Sequence, residues 1–134
     1  MSDKSNYLKD GVINHLLRTA SLPKPSGVYV ALYTADPGPG DGGTEVSGGG
    51  YARVQVGPSN AAWNDPAGTG VTANTSDIVF PTPSADLGLA THFALKDALT
   101  GGAQIYSNAL APPRTLSNGV SVRFPAGSLT VSEQ

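Results

Sequence analysis

Imidazoles, carboxylates and hydroxyls are the groups through which this sequence could do chemistry, and their spacing limits what that chemistry could be. The two histidines, His15 and His92, lie far apart, and cysteine is absent. The closely spaced imidazole and thiolate sets that hold zinc are therefore missing. His92 alternates with Thr91 and Phe93 in an extended run and reads as a hydrogen-bonded structural histidine on the opposite strand face. Asp36, Asp41 and Glu45 share a glycine-rich stretch, which raises calcium binding. Their spacing does not follow an EF-hand loop, and a solvated acidic loop is the expectation. Serines are frequent, yet no Gly-x-Ser-x-Gly elbow presents one as a nucleophile, and the glycine-rich stretch lacks the Lys-Ser/Thr ending of a phosphate-binding loop. No two of the ten acidic residues are brought together in linear order as a glycosidase pair. The expectation is a protein that is not an enzyme, with no catalytic residue, no cofactor and no metal.

What remains are contact residues. Leu8 and Val12 on a helix, Thr44, Glu45, Val46 and Tyr51 in and after the first long loop, and Trp63 and Asn64 in the second are the candidates for touching a partner. Trp63, the single tryptophan, has two readings: an interface anchor with a polar donor, or a side chain folded back to plug the end of a sandwich. Tyr7, Tyr29, Tyr33, Tyr51 and Tyr106 suit strand and core packing. Aromatic faces also stack on sugar rings, so a carbohydrate-binding module is a further option.

The elements that must position these residues are mostly strands. Residues 5–19 are expected to form an amphipathic helix with Ser5 as N-cap, placing Leu8, Val12 and Leu16 on one face with Ile13 and Leu17 beside them. So short a helix needs support, and packing on its own domain is favoured over an intersubunit role. Pro23 and Pro25 end it. Val28, Val30 and Leu32 then alternate with Tyr29, Ala31 and Tyr33, which predicts a strand apolar on both faces, either central or with its second face under the helix. Residues 36–50 hold almost nothing to bury and predict a long mobile loop with a short strand at 44–46. A strand over 51–56 and a second loop over 57–76 follow.

The second half alternates apolar residues between turn signals, giving strands near 77–80, 89–95, 103–107, 120–124 and 129–131. Asn118-Gly119 supplies the positive φ angles of a tight turn. The rhythm predicts an all-β fold: an antiparallel β-sandwich or jelly-roll-like single domain over 1–134 with a short N-terminal helix. At 134 residues one core is the natural count.

Composition narrows the partners. Lys and Arg number 8 against 10 Asp and Glu, without a basic run, so direct binding to nucleic acid is not expected. Only 13% of residues are charged, which suits a surface partly covered by another protein. Met1 to Asn6 lead straight into the helix, so no secretory signal is expected, and no stretch approaches the roughly 20 apolar residues that span a bilayer. No membrane partner is expected.

The run Val28-Tyr29-Val30-Ala31-Leu32-Tyr33-Thr34-Ala35-Asp36-Pro37, followed by Thr44-Glu45-Val46-Ser47-Gly48-Gly49-Gly50-Tyr51-Ala52-Arg53, resembles small virion proteins of tailed bacteriophages. Asp77 to Pro81, Thr91 to Asp97 and the closing Phe124-Pro125-Ala126-Gly127-Ser128-Leu129-Thr130-Val131 extend that resemblance over nearly the whole chain. It implies a jelly-roll-like structural protein without cofactor, of a kind labelled either tail fibre or capsid cement (decoration) protein. Because this sequence shows no long coiled coil or β-helical shaft, the cement role is preferred: binding outside an HK97-type shell and bridging coat subunits. The implied partner is the major capsid protein, the implied assembly a homodimer or trimer, and the implied place the capsid surface of a virion made in bacterial cytoplasm. The helix and the loops 36–50 and 57–76 are the expected contacts.

Overall fold

The computed structural model of the chain describes residues 3–133. The elements in order are β1 (Asp3–Lys4), α1 (Asn6–Leu17), β2 (Tyr29–Tyr33), β3 (Val54–Gln55), β4 (Val71–Ala73), β5 (Ile78–Phe80), β6 (Gly88–Lys96), β7 (Gln104–Leu116), β8 (Val122–Phe124) and β9 (Thr130–Ser132). Five strands form one antiparallel sheet in the order β1-β7-β6-β2-β3, while β4 pairs with β9 and β5 with β8. This is the all-β sandwich that the alternation predicts.

β2 is an interior strand, paired with β6 on one side and β3 on the other, and both its faces are covered. Val28, Val30 and Leu32 join Phe93 and Leu95 of β6 in one core with Ile78, Phe80, Phe124 and Val131 from the two small sheets. Phe80 and Phe124 meet edge to face at 5.8 Å, and Tyr51 stacks on Phe80 at 6.3 Å. Fully burying side chains of this size contributes about 1.5–3 kcal/mol each. The opposite face of β2 carries Ala31 and Tyr33, packed with Ala94 of β6. Buried polar residues share that side of the sheet, and they lead to the candidate site below.

Several boundaries differ from the sequence expectation, each for a physical reason. The strand expected at 51–56 shortens to β3, because Tyr51 and Arg53 turn their side chains to Glu45. Within the stretch expected to be loop 57–76, Val71–Ala73 pairs with β9. β7 runs on to Leu116 through Pro112 and Pro113. Ala90 faces Arg114 but His92 faces Ala109, so Leu110 to Pro113 bulge opposite Thr91. Prolines lack the amide donor, and the bulge places them where the ladder is interrupted. After Gly119 strand β8 starts at Val122, two residues later than expected, and leaves Val120 exposed.

The helix departs most from expectation. Ser5 caps it, with its Oγ accepting from the Leu8 amide at 3.0 Å, but it ends at Leu17. Leu8 is buried and Val12 half-buried, whereas Ile13, Leu16 and Leu17 are 52%, 70% and 80% exposed. The expected packing of the whole apolar face on its own domain is therefore corrected to its first turn. The Ser5 amide donates to the Ile105 carbonyl of β7 at 2.9 Å, which docks the start of α1 and lets the rest run off the sheet.

Candidate functional site

The residues with chemical potential gather on the second face of β2, beneath residues 36–53. Thr34 N–H donates to Thr44 O and Val46 N–H to Leu32 O, both at 2.9 Å, so the segment 44–46 pairs along the edge of β2. The bridge Tyr33–Glu45 holds its centre, and Val46 enters the core. The short strand expected there is thus a single bridge, and the stretch expected to be mobile is anchored.

Two ionic knots anchor it. Arg53 donates from Nε to Glu45 Oε2 at 2.8 Å and from Nη2 to Oε1 at 2.7 Å, while Nη1 reaches the Ala98 and Gly101 carbonyls at 2.8 Å. Tyr51 donates to Glu45 Oε2 at 2.7 Å and accepts from the Leu32 amide at 3.0 Å. In the second knot, Tyr33 donates to Asp41 Oδ1 at 2.8 Å and the Lys96 ammonium pairs with Asp41 Oδ2. Gln104 Nε2 donates to Gly38 O at 2.8 Å. Lys96 and Gln104 face each other across the β6–β7 ladder, and both are buried.

The electrostatics follow from these contacts. Burial pushes the Glu45 carboxyl up, but the bonds from Arg53 and Tyr51 outweigh it and hold the group below its ordinary value. Burial raises the Tyr33 hydroxyl, and the Asp41 carboxylate that accepts its proton raises it further. Burial and Glu45 act likewise on Tyr51. Both phenols are therefore hydrogen-bond donors throughout the ordinary pH range. Bidentate guanidinium–carboxylate geometry of this kind fixes one arrangement of the chain.

The acidic residues considered for calcium are thus otherwise engaged. Asp41 and Glu45 hold cationic side chains, which corrects the solvated loop expected for them, and Asp36 lies exposed with Oδ1 3.9 Å from His92 Nε2. His92 Nδ1 is 2.8 Å from Thr91 Oγ1, the hydrogen-bonded strand histidine that was expected. His15 Nδ1 accepts from the Leu22 amide at 3.2 Å. Among the described residues no three His, Cys, Asp or Glu side chains could hold a metal together.

The expected contact residues do not share one surface. Leu8 and Val46 point into the domain, and Glu45 and Tyr51 are locked in the Arg53 knot. Thr44 is exposed and Val12 half-buried on α1. Trp63 takes the second of its two readings: half-buried against the core, it donates from Nε1 to Val56 O at 3.0 Å. Its ring lies over Gly57, at φ +82°, where a Cβ would stand 3.1 Å from the indole. Asn64 is exposed beside it, on an open groove of about 580 Å³ that Trp63 also lines.

Sequence reasoning missed three cornerstones. Neither Arg53 nor Lys96 stands out in a sequence without a basic run, although a lysine ending an apolar run on the buried side signals a counter-ion. Asn74, buried and bonded to Ser76 O, Pro125 O and Leu129 N–H, organises the second loop. A buried asparagine among short turns leaves no periodic trace. What the whole arrangement does is brace: its acids, cations and phenols pair with one another and hold the surface loops in fixed positions.

Among the described residues, no helix is long and apolar enough to cross a membrane. A search of curated proteins finds no match. A family model described as podophage GP4 fiber I protein gp80 matches residues 3–132, nearly the whole of the folded chain. The chain therefore belongs to the podophage GP4 fiber I protein family and, with it, to the structural proteins of phage particles.

Proposed function

We propose that this protein is a non-catalytic component of a phage tail fibre, a rigid β module that seats against neighbouring virion proteins. The family match over residues 3–132 carries the proposal. The braced loops support it, since surfaces held in one conformation lose little entropy on binding. Repeated copies joined to a symmetric particle gain avidity through effective concentration, and a homodimer or trimer suits such symmetry.

A second reading is capsid cement, with the major capsid protein as partner and an HK97-type shell as the surface bridged. The compact build favours it, because the longest strand has 13 residues and the helix 12, so the described residues form a knob instead of a shaft. Counting copies per virion by quantitative mass spectrometry separates the two. A handful of copies, retained with tails after heads are removed, is the outcome expected for the fibre. Hundreds of copies, with binding to undecorated heads in sedimentation, would transfer the role to the shell. Absence from purified particles would overturn both.

A further inference from the structure

We propose that Lys96 and Asp41 condense within the folded protein to an intramolecular isopeptide bond. The pair is set for it by placement. Lys96 lies inside the domain, its side chain 3% exposed, and Asp41 is the carboxylate it meets. Asp41 sits between Gly40 and Gly42 yet has a left-handed backbone at φ +55°, which side-chain-bearing residues seldom adopt. In that conformation its carboxylate meets the Lys96 ammonium.

The surroundings match the chemistry. Tyr33 donates to Asp41 Oδ1 at 2.8 Å, where negative charge develops when an amine adds to Cγ, while Lys96 faces Oδ2, the oxygen that leaves. Tyr33 remains a donor because burial and the Asp41 carboxylate raise its hydroxyl well above neutrality. As a plain ion pair the site is incompletely matched. An ammonium has three donors, yet beyond Asp41 its contact is Tyr33 Oη at 3.4 Å, and Gln104 Oε1 across the ladder is buried without a partner. An amide at this position has a single N–H to satisfy.

The step balances without a co-reactant. One ammonium proton moves to the carboxylate, giving amine and acid. The Nζ lone pair then adds to Cγ, the bond from Cγ to Oδ2 breaks, and Oδ2 departs as water with a second nitrogen proton. The third stays as the amide N–H, and the pair is neutral before and after. Asp41's side chain is 32% exposed, which gives the water a way out.

The product joins the surface loop to the end of β6 and closes a covalent ring from Asp41 to Lys96 that contains β3, β4, β5 and β6. Tension applied at the two ends of the chain would then bypass those strands. Such a device is useful in a particle that must withstand force, whichever part of the virion holds this protein.

Intact-mass measurement of the folded, purified chain tests this. The expected mass is lower than the sequence mass by one water, unchanged after denaturation, and proteolysis yields one branched peptide joining the segments of Asp41 and Lys96. Cyclisation of Asp41 with Gly42 to a succinimide removes the same mass. The Gly42 amide already donates to Pro37 O at 2.6 Å, and Lys96→Arg discriminates, because it restores the full mass if the bond is to lysine. Tyr33→Phe should keep the fold and slow the mass loss. Full mass in the folded wild type, or a water loss that persists in Lys96→Arg without a branched peptide, overturns the proposal.

Discussion

Replacing Glu45 by Gln tests whether the Arg53 knot carries the stability that its geometry implies. Three donors converge on this carboxylate, two from Arg53 and one from Tyr51. Hydrogen bonds to a charged group contribute about 1.5–3 kcal/mol against roughly 0.5–1.5 for neutral ones. An amide keeps one acceptor, turns an N–H₂ toward donors, and leaves without its counter-ion a guanidinium whose side chain is 7% exposed and which keeps its bonds to the Ala98 and Gly101 carbonyls. Glu45 itself is 24% exposed, which relieves part of the penalty. The expected loss is about 3 kcal/mol, near the low end for breaking a buried pair, and the melting temperature should fall by roughly 10 °C. Urea unfolding followed by Trp63 fluorescence gives the number. The pH dependence supplies a second check. A carboxyl held below its ordinary value of 4.5 in the folded state contributes stability that is present above that value and lost as pH falls through the folded one. Wild type should therefore weaken below about pH 4.5 and Glu45→Gln should weaken less over that interval. A loss under about 0.5 kcal/mol, typical of an exposed surface pair, would refute the reasoning.

Two further outcomes are expected. Asn74→Ala removes three hydrogen bonds at a buried position and leaves the Leu129 amide unpartnered, so it should cost about 3 kcal/mol in the same urea assay. Leu17→Glu, at the most exposed apolar position of α1, should change stability by less than about 0.5 kcal/mol. If α1 meets a neighbour in the virion, the same variant should be depleted from particles in a competition with wild type. Equal incorporation would remove the helix from the contact surface.

The strands were legible where apolar residues alternate or run together. Ile78 to Phe80 buries every second side chain because a sheet shows successive residues to opposite faces, whereas Val28 to Tyr33 and Phe93 to Leu95 are apolar in succession because both faces of the sheet are covered there. Ser5 was legible as a cap because its hydroxyl acts locally. The long reach of β7 was hidden, since Pro112 and Pro113 argue against a strand until a bulge in β7 itself, opposite Thr91 of β6, accommodates them. The anchored loop was hidden for a related reason. Its stability comes from Arg53 and Lys96, residues whose partners lie 8 and 55 positions away, and glycine-rich composition describes only the local chain. α1 looked like a core helix because amphipathicity records that a face is apolar and does not say what covers it.

Lys4 and Glu133 form an ion pair at 2.8 Å, so the first strand and the last residues of the described chain lie side by side. A polypeptide that enters and leaves at one pole can be grafted into a hairpin of an unrelated host through short spacers, without prising the host apart. The same proximity makes the module a natural subject for circular permutation, with new termini opened at the exposed turn around Asn118.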